Sequence, residues 1–140
     1  MSSIKQQVDL FFRQTFPLSL TEPLLVSFSG GADSVFLVKI LLEIGFSNLH
    51  LIYFNHQLRS EAEIKKEITF CQQFSDKNGL SISIKKVPVI AFKKKYSISE
   101  EIAGRWLRRR YLSHHATLYK IKRVIMAHHQ DDVIETLLMQ

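Results

Sequence analysis

The chain is poor in cysteine: Cys71 is the only one among 140 residues. An intrachain disulfide is therefore excluded, and so is a cysteine-built metal cluster. Long apolar runs are missing too. Lys39 and Glu43 interrupt the most apolar stretch, which begins at Val35, so no segment there spans a membrane. Lys5 and Asp9 break the apolar pattern of residues 1–12, so the start does not read as a secretory signal. One thiol without such a signal fits a reducing compartment and a cytoplasmic protein. Glycine (5) and proline (3) are sparse, which excludes collagen-like and low-complexity sequence.

What is present is ordinary for one globular domain. Hydrophobic residues make up 46% and charged residues 23%, close to globular averages. The charge is unevenly placed. Residues 85–123 hold 12 Lys/Arg against 2 Asp/Glu, or +10, and the rest carries −4, which restores the chain's +6. Such a segment suits a polyanion partner, nucleic acid first, with a solvated basic face as the plain alternative.

Hydrophobic periodicity predicts alternating elements. Val8, Leu10, Phe11, Phe12 and Phe16 suggest an N-terminal helix closed by Pro17. Residues 24–28 (LLVSF), 49–54 (LHLIYF), 80–87 and 122–127 (KRVIMA) read as strands. Helices are expected over residues 32–43, 60–77 and 99–118, and from Asp131 onward. Gly45 stands in a C-cap position, and Ser60 with Glu63 makes a capping-box pattern. In the long helix, Ile98, Ile102, Trp106 and Leu107 mark the expected buried side, and the phenylalanines read as core. The last ten residues read as the opening of a helix without a stop signal, so the chain is expected to continue beyond Gln140. Strand–helix alternation argues for an α/β fold, Rossmann-like and doubly wound, with a mainly parallel sheet and helices on both faces. Ligands on such sheets bind beyond the carboxyl ends of the strands, at a switch point.

The loop after the first strand is Ser29-Gly30-Gly31-Ala32-Asp33-Ser34. It joins a strand to a helix start, where N–H groups lack partners and the dipole is positive. Two glycines allow close approach of an anion, and Ser29 and Ser34 add hydroxyls. Asp33 would repel phosphate unless a divalent cation bridges them. The lysine and spacing of the GxxxxGK[ST] loop are absent. A Gly-Gly turn with Asp33 near a helix N-cap is the plain alternative.

This SGGADS loop resembles the pyrophosphate-binding loop of the N-type ATP pyrophosphatases, the PP-loop superfamily. Two further segments resemble one branch of it, the tRNA(Ile)-lysidine synthetases. The first is Asn55-His56-Gln57-Leu58-Arg59-Ser60-Glu61, similar to N-H-x-L-R-x-E. His56 and Arg59 there are donors at a strand end, suited to nucleotide or RNA phosphate, with a capping segment (Asn55 in the turn, Ser60 as N-cap) as the plain alternative. The second is His128-His129-Gln130-Asp131-Asp132-Val133-Ile134-Glu135-Thr136, similar to H-H-x-D-D-x-x-E-T. If that segment is helical, His128, Asp132 and Glu135 share one face. They would suit a metal, a lysine ammonium or proton removal from an amine, with an N-cap cluster as the bland reading. In the long helix Glu101, Arg105 and Arg108 match E-x-x-x-R-x-x-R-Y, while Arg109 stands where the pattern has tyrosine.

The resemblance implies an adenine nucleotide alpha hydrolase-like fold and the N-terminal part of a PP-loop ATPase domain over residues 1–140, with C-terminal tRNA-recognition domains absent. It implies ATP and Mg²⁺ as cofactors, and L-lysine and tRNA(Ile) with a CAU anticodon as substrates. The expected reaction joins lysine to the wobble cytidine, giving lysidine through an adenylated base. Ser29, Gly30, Gly31, Ala32, Asp33 and Ser34 would bind ATP, with Asp33 on Mg²⁺. Asp33, Arg105, His128, Asp132 and Glu135 would be catalytic, and His56, Arg59 and Arg108 would contact tRNA or nucleotide. A tRNA thiolase of the same superfamily and a non-catalytic ATP-binding unit are the alternatives. The single cysteine leaves paired-cysteine thiolase chemistry without ligands. No membrane partner is expected, and the oligomeric state stays open, a homodimer included.

Overall fold

Leu24, Leu25 and Val26 are apolar at three successive positions, and all three are fully buried. A strand needs that pattern when both faces of its sheet are covered. The computed structural model describes Gln6, Leu10, residues 19–127 and residues 134–138. Its elements are β1 (Leu24–Ser27), α1 (Ala32–Ile44), β2 (Leu49–Asn55), α2 (Glu61–Lys77), β3 (Ser81–Lys86), α3 (Val89–Tyr96), α4 (Glu100–Leu118), β4 (Arg123–Ala127) and β5 (Ile134–Leu138). The sheet order is β3-β2-β1-β4-β5. The first four strands are parallel, and β5 runs antiparallel to β4. The chain leaves β1 toward β2 and β3, then returns to the other side of β1 as β4. The switch point therefore lies between the carboxyl ends of β1 and β4.

Period-two alternation sorts the strand residues between two layers. Leu24, Val26, Leu51 and Tyr53 join Leu37, Val38 and Leu41 of α1 and Cys71 and Phe74 of α2 in one core. Leu25, Ile52, Val124 and Met126 join Leu112 and Ala116 of α4 in another. Val87, Val89, Ala103 and Leu107 form a smaller third cluster where α3 meets α4. Helices thus cover both faces, as the strand–helix alternation predicts.

Local chemistry sets the helix ends. Gly45 closes α1 at φ 119°, with its N–H reaching the Leu41 and Leu42 carbonyls. Only glycine adopts that conformation without strain. Ser60 and Ser99 cap α2 and α4, each hydroxyl accepting from a backbone N–H three residues on (Glu63 and Ile102).

The structure corrects three expectations. The segment after β4 is expected as helix, yet Ile134–Leu138 is a strand that pairs Glu135 with Met126. Five residues are too few for apolar spacing to separate helix from strand, and β-branched Ile134 and Thr136 favour the strand. The strand also satisfies backbone groups that β4 would expose as a sheet edge. Second, Leu107 is buried and Ile98 partly buried as expected, but Ile102 and Trp106 are exposed, and Ala103, Gly104, Leu112 and Ala116 complete the buried side of α4. Large apolar residues draw a hydropathy reading to the wrong stripe when small residues make the contact. Third, Phe28, Phe46 and Phe74 are core, but Phe36 and Phe70 are exposed. Helix α3 is an element the sequence pattern does not reveal. The expected N-terminal helix lies outside the described residues except for Gln6 and Leu10, both helical.

Candidate functional site

The loop after β1 is held by its own hydroxyls. Ser34 Oγ donates to the Gly31 carbonyl (3.1 Å), Ser29 Oγ and Ser34 Oγ are 3.2 Å apart, and the Gly31 N–H donates to Ser29 Oγ (3.2 Å). With the Ser34 proton on Gly31, Ser29 must donate to Ser34, so the bonds close a ring. Ser34 is buried and fixes the start of α1, while Ser29 is exposed. Gly30 takes φ 82°, and a Cβ there would lie 2.9 Å from Cys71 Sγ and 3.4 Å from the Phe70 ring. The loop therefore rests directly on α2.

Gly31 is the N-cap of α1, and no side chain caps that end. The contrast with the serine caps of α2 and α4 is chemical. The opening N–H groups of α1 lie beside two glycines and the exposed Ser29 hydroxyl, which fits an anion. Asp33 sits exposed in the first turn. A carboxylate beside an anion site needs a cation to share, so the donor set fits a phosphate chain carrying Mg²⁺.

A cleft of about 200 Å³ opens at the carboxyl ends of β1 and β2. It gathers Ser29, His56, Arg59 and Arg108 from separate parts of the sequence. His56 continues the alternation of Ile52 and Phe54, which puts it on the α4 side of the sheet. A Cβ on Gly104 would lie 3.5 Å from its ring, an ordinary contact. Burial lowers the His56 pKa first, and positive Arg108 lowers it further. The imidazole is thus neutral at pH 7 and has one donor and one acceptor nitrogen.

Arg59 is tied down rather than loose. Its guanidinium pairs with Glu67 at 2.8 Å, and the Tyr53 hydroxyl donates to the other Glu67 oxygen at 2.9 Å. Burial and the adjacent carboxylate push the Tyr53 pKa above its ordinary value, so the phenol keeps its proton. Asn55 orders the same turn, its side-chain oxygen accepting from the Gln57 N–H at 2.9 Å. Gln57 itself takes φ 59°. Tyr53, Asn55 and Glu67 are site-shaping residues that motif reading misses. The available signal is spacing, since Tyr53 and Asn55 share the strand face that meets α2.

Other expected site residues stand apart. Arg105 is exposed on α4 and does not line the cleft. Asp33 lies at the mouth of α1 and also does not line it. His128 and Asp132 lie outside the described residues, and Glu135 is placed by its backbone on β5. Among the described residues no group of three or more His, Cys, Asp or Glu could hold a metal. Also among them, no helix is long and apolar enough to cross a membrane.

The chain is similar to known proteins. A curated tRNA(Ile)-lysidine synthase from Persephonella marina is 32% identical over 126 residues, covering 87% of this chain and 27% of that protein. One from Shouchella clausii is 30% identical over 140 residues, covering 98% and 30%. The chain thus spans about 30% of the length of these relatives. The U34-tRNA thiolase NcsA from Methanococcus maripaludis superposes with a TM-score of 0.70 at 19% identity, covering 89% of this chain and 44% of that one. The NH3-dependent NAD synthetase from Campylobacter jejuni gives 0.60 at 17%, covering 86% and 53%. At those identities the likeness is one of fold. The PP-loop domain family matches residues 1–140, and with the strand–SGG–helix loop at the sheet's switch point the chain belongs to that family.

Proposed function

We propose that this chain carries the ATP-using part of a tRNA(Ile)-lysidine synthase. The observation that carries the reading is the self-braced loop with an uncapped helix start, opening beside a cleft lined by His56 and Arg108. Similarity to lysidine synthases along nearly the whole chain supports the substrate assignment. In the proposed reaction the cytidine C2 carbonyl oxygen attacks the α-phosphate of ATP and pyrophosphate leaves. The lysine ε-amine then displaces AMP and loses a proton. The amides of Gly30 and Ala32 hold the phosphates, and the Gly31 N–H and the Ser29 hydroxyl, which here bond within the loop, turn to them as the anion binds, while Ser34 braces the loop through the Gly31 carbonyl. Asp33 would hold Mg²⁺, which neutralises charge on the departing pyrophosphate when bound.

His56, neutral and facing Arg108, fits hydrogen bonding to nucleotide or RNA, and Arg59 presents charge from the Glu67 and Tyr53 support. Arg108 and Arg105 are assigned to nucleotide or tRNA phosphate. His128, Asp132 and Glu135 are assigned to the lysine amine and the adenylated base. With Ile134–Leu138 extended rather than helical, Glu135 is presented from a strand and not from a helical face.

The test is pyrophosphate release in the presence of ATP, Mg²⁺, L-lysine and tRNA(Ile). Release that requires the tRNA, with labelled lysine ending in RNA, is the expected result. Asp33→Ala should lower release by at least a hundredfold and leave the circular dichroism spectrum unchanged. Near-normal release in that variant removes Asp33 from the mechanism. ATP binding without any tRNA-dependent release reassigns the chain as a nucleotide-binding unit.

A further inference from the structure

The outer side of the α3–α4 hairpin carries a row of rings, of which half-buried Phe92 also packs on the small cluster between the two helices. Trp106 is 50% exposed and Tyr96 54%. Phe92 stands between them, 5.4 Å from the Trp106 ring at an interplanar 25°, and 4.6 Å from the Tyr96 ring. Each end of the row meets a cation. The Arg110 guanidinium lies 5.5 Å over the indole, and the Lys95 ammonium 5.4 Å over the Tyr96 ring. The surrounding charge is mainly positive, with exposed Lys94 and Arg105 nearby, and the two acids of residues 85–123, Glu100 and Glu101, lie at the start of α4.

We propose that this row is a stacking platform for unpaired nucleotides of the RNA substrate. The proposal rests on the tRNA-modifying reading above and adds to it a surface away from the cleft. Rings and arginines also occur at protein interfaces, but lysine is depleted there, and the Lys93, Lys94 and Lys95 run beside these rings favours a polyanion. A nucleotide offers a π-face and an anion at neighbouring positions, which is what rings interleaved with cations recognise. A duplex hides its base faces, so the segment must be unpaired.

Helix geometry links the platform to the cleft. At 100° per residue, three lines run side by side along α4. Gly104 and Arg108 face His56 and the cleft. Arg105 and Arg109 form the next line, and Ile102 and Trp106 the one after. A strand with its reacting base in the cleft can pass its phosphates over Arg105 and Arg109 and lay a neighbouring base on Trp106. Arg110 then turns from the indole to a phosphate as the base takes its place.

Trp106 is the only tryptophan in the chain, so its emission reports on the platform without a variant. Titration with tRNA(Ile), or with a single-stranded RNA of its anticodon-loop sequence, should quench that emission in step with binding. A blunt RNA duplex should bind without quenching. Trp106→Ala should weaken single-strand binding about tenfold or more. Trp106→Phe should restore most of it, and Tyr96→Ala, at an exposed position, should weaken binding without unfolding. ATP affinity should not change in any of them. RNA binding with unchanged emission, equal quenching by the duplex, or full affinity in Trp106→Ala would each overturn the platform. Those outcomes leave lysine- and tRNA-dependent pyrophosphate release standing. A native chain that binds no RNA overturns both readings together.

Discussion

At Gly30 the backbone takes φ 82°, and the space where a side chain would sit belongs to Cys71 and Phe70. Two costs therefore meet in Gly30→Ala. The left-handed conformation costs an L-residue about 1–3 kcal/mol at a constrained site. The 2.9 Å approach to Cys71 Sγ adds a steric cost, because Cys71 is fully buried in the core of α2. Burial and the Glu67 charge push the Cys71 thiol pKa up to about 12. The sulfur is therefore a neutral packing group, not a reactive thiolate. A double-mutant cycle separates the two costs. Combining Gly30→Ala with Cys71→Ala should recover the steric part in urea unfolding and leave the conformational part. Strict additivity of the two changes would show that the sulfur exerts no pressure on the loop.

Among the elements, α4 joins the cleft to the outer face, and Gly104 is its weak point. Glycine inside a helix costs about 0.5–1 kcal/mol relative to alanine. A Cβ at Gly104 would make only ordinary contact with His56, at 3.5 Å. Gly104→Ala should therefore raise stability by about 0.5–1 kcal/mol in urea unfolding. Loss of stability would mean that the His56 ring has no room to give. Ser99→Ala should cost about 1 kcal/mol by removing the cap of the same helix. These elements also show what is legible before folding. The strand starts, the serine caps, the Gly45 stop and the 29–34 loop are written locally, in residue types that act on their own neighbours. The orientation of α4 is not, because Ala103 and Gly104 make the contact and carry little hydropathy. The β5 strand is not either, because its reason lies in the open edge of β4. The Tyr53–Glu67–Arg59 chain joins residues fourteen positions apart and becomes visible only when α2 packs on β2.

The whole molecule concentrates its positive charge on the side built from residues 85–123, and two histidines are enclosed in that field. His115 is buried on α4, its ring tilted at 38° against Tyr119 with centroids 4.6 Å apart. Burial lowers its pKa first, then the charges of Lys85, His50 and His114. His56 is lowered in the same direction by burial and Arg108. Both groups therefore bind protons more weakly in the folded state than in the unfolded chain, where histidine titrates near about 6.5. Folding is then fully favoured above that value and weakens as pH falls below it, since the unfolded state takes up more protons. Carboxylates titrate near about 3.9–4.3, so a window from pH 7.5 to 5.5 isolates the histidines. The urea midpoint should fall across that window in the native chain. His115→Gln should flatten the fall whatever its own effect on the midpoint at pH 7.5, because glutamine keeps a polar side chain and cannot charge. An equal fall in the native chain and the variant would place the pH dependence elsewhere, with His56 the next group to replace.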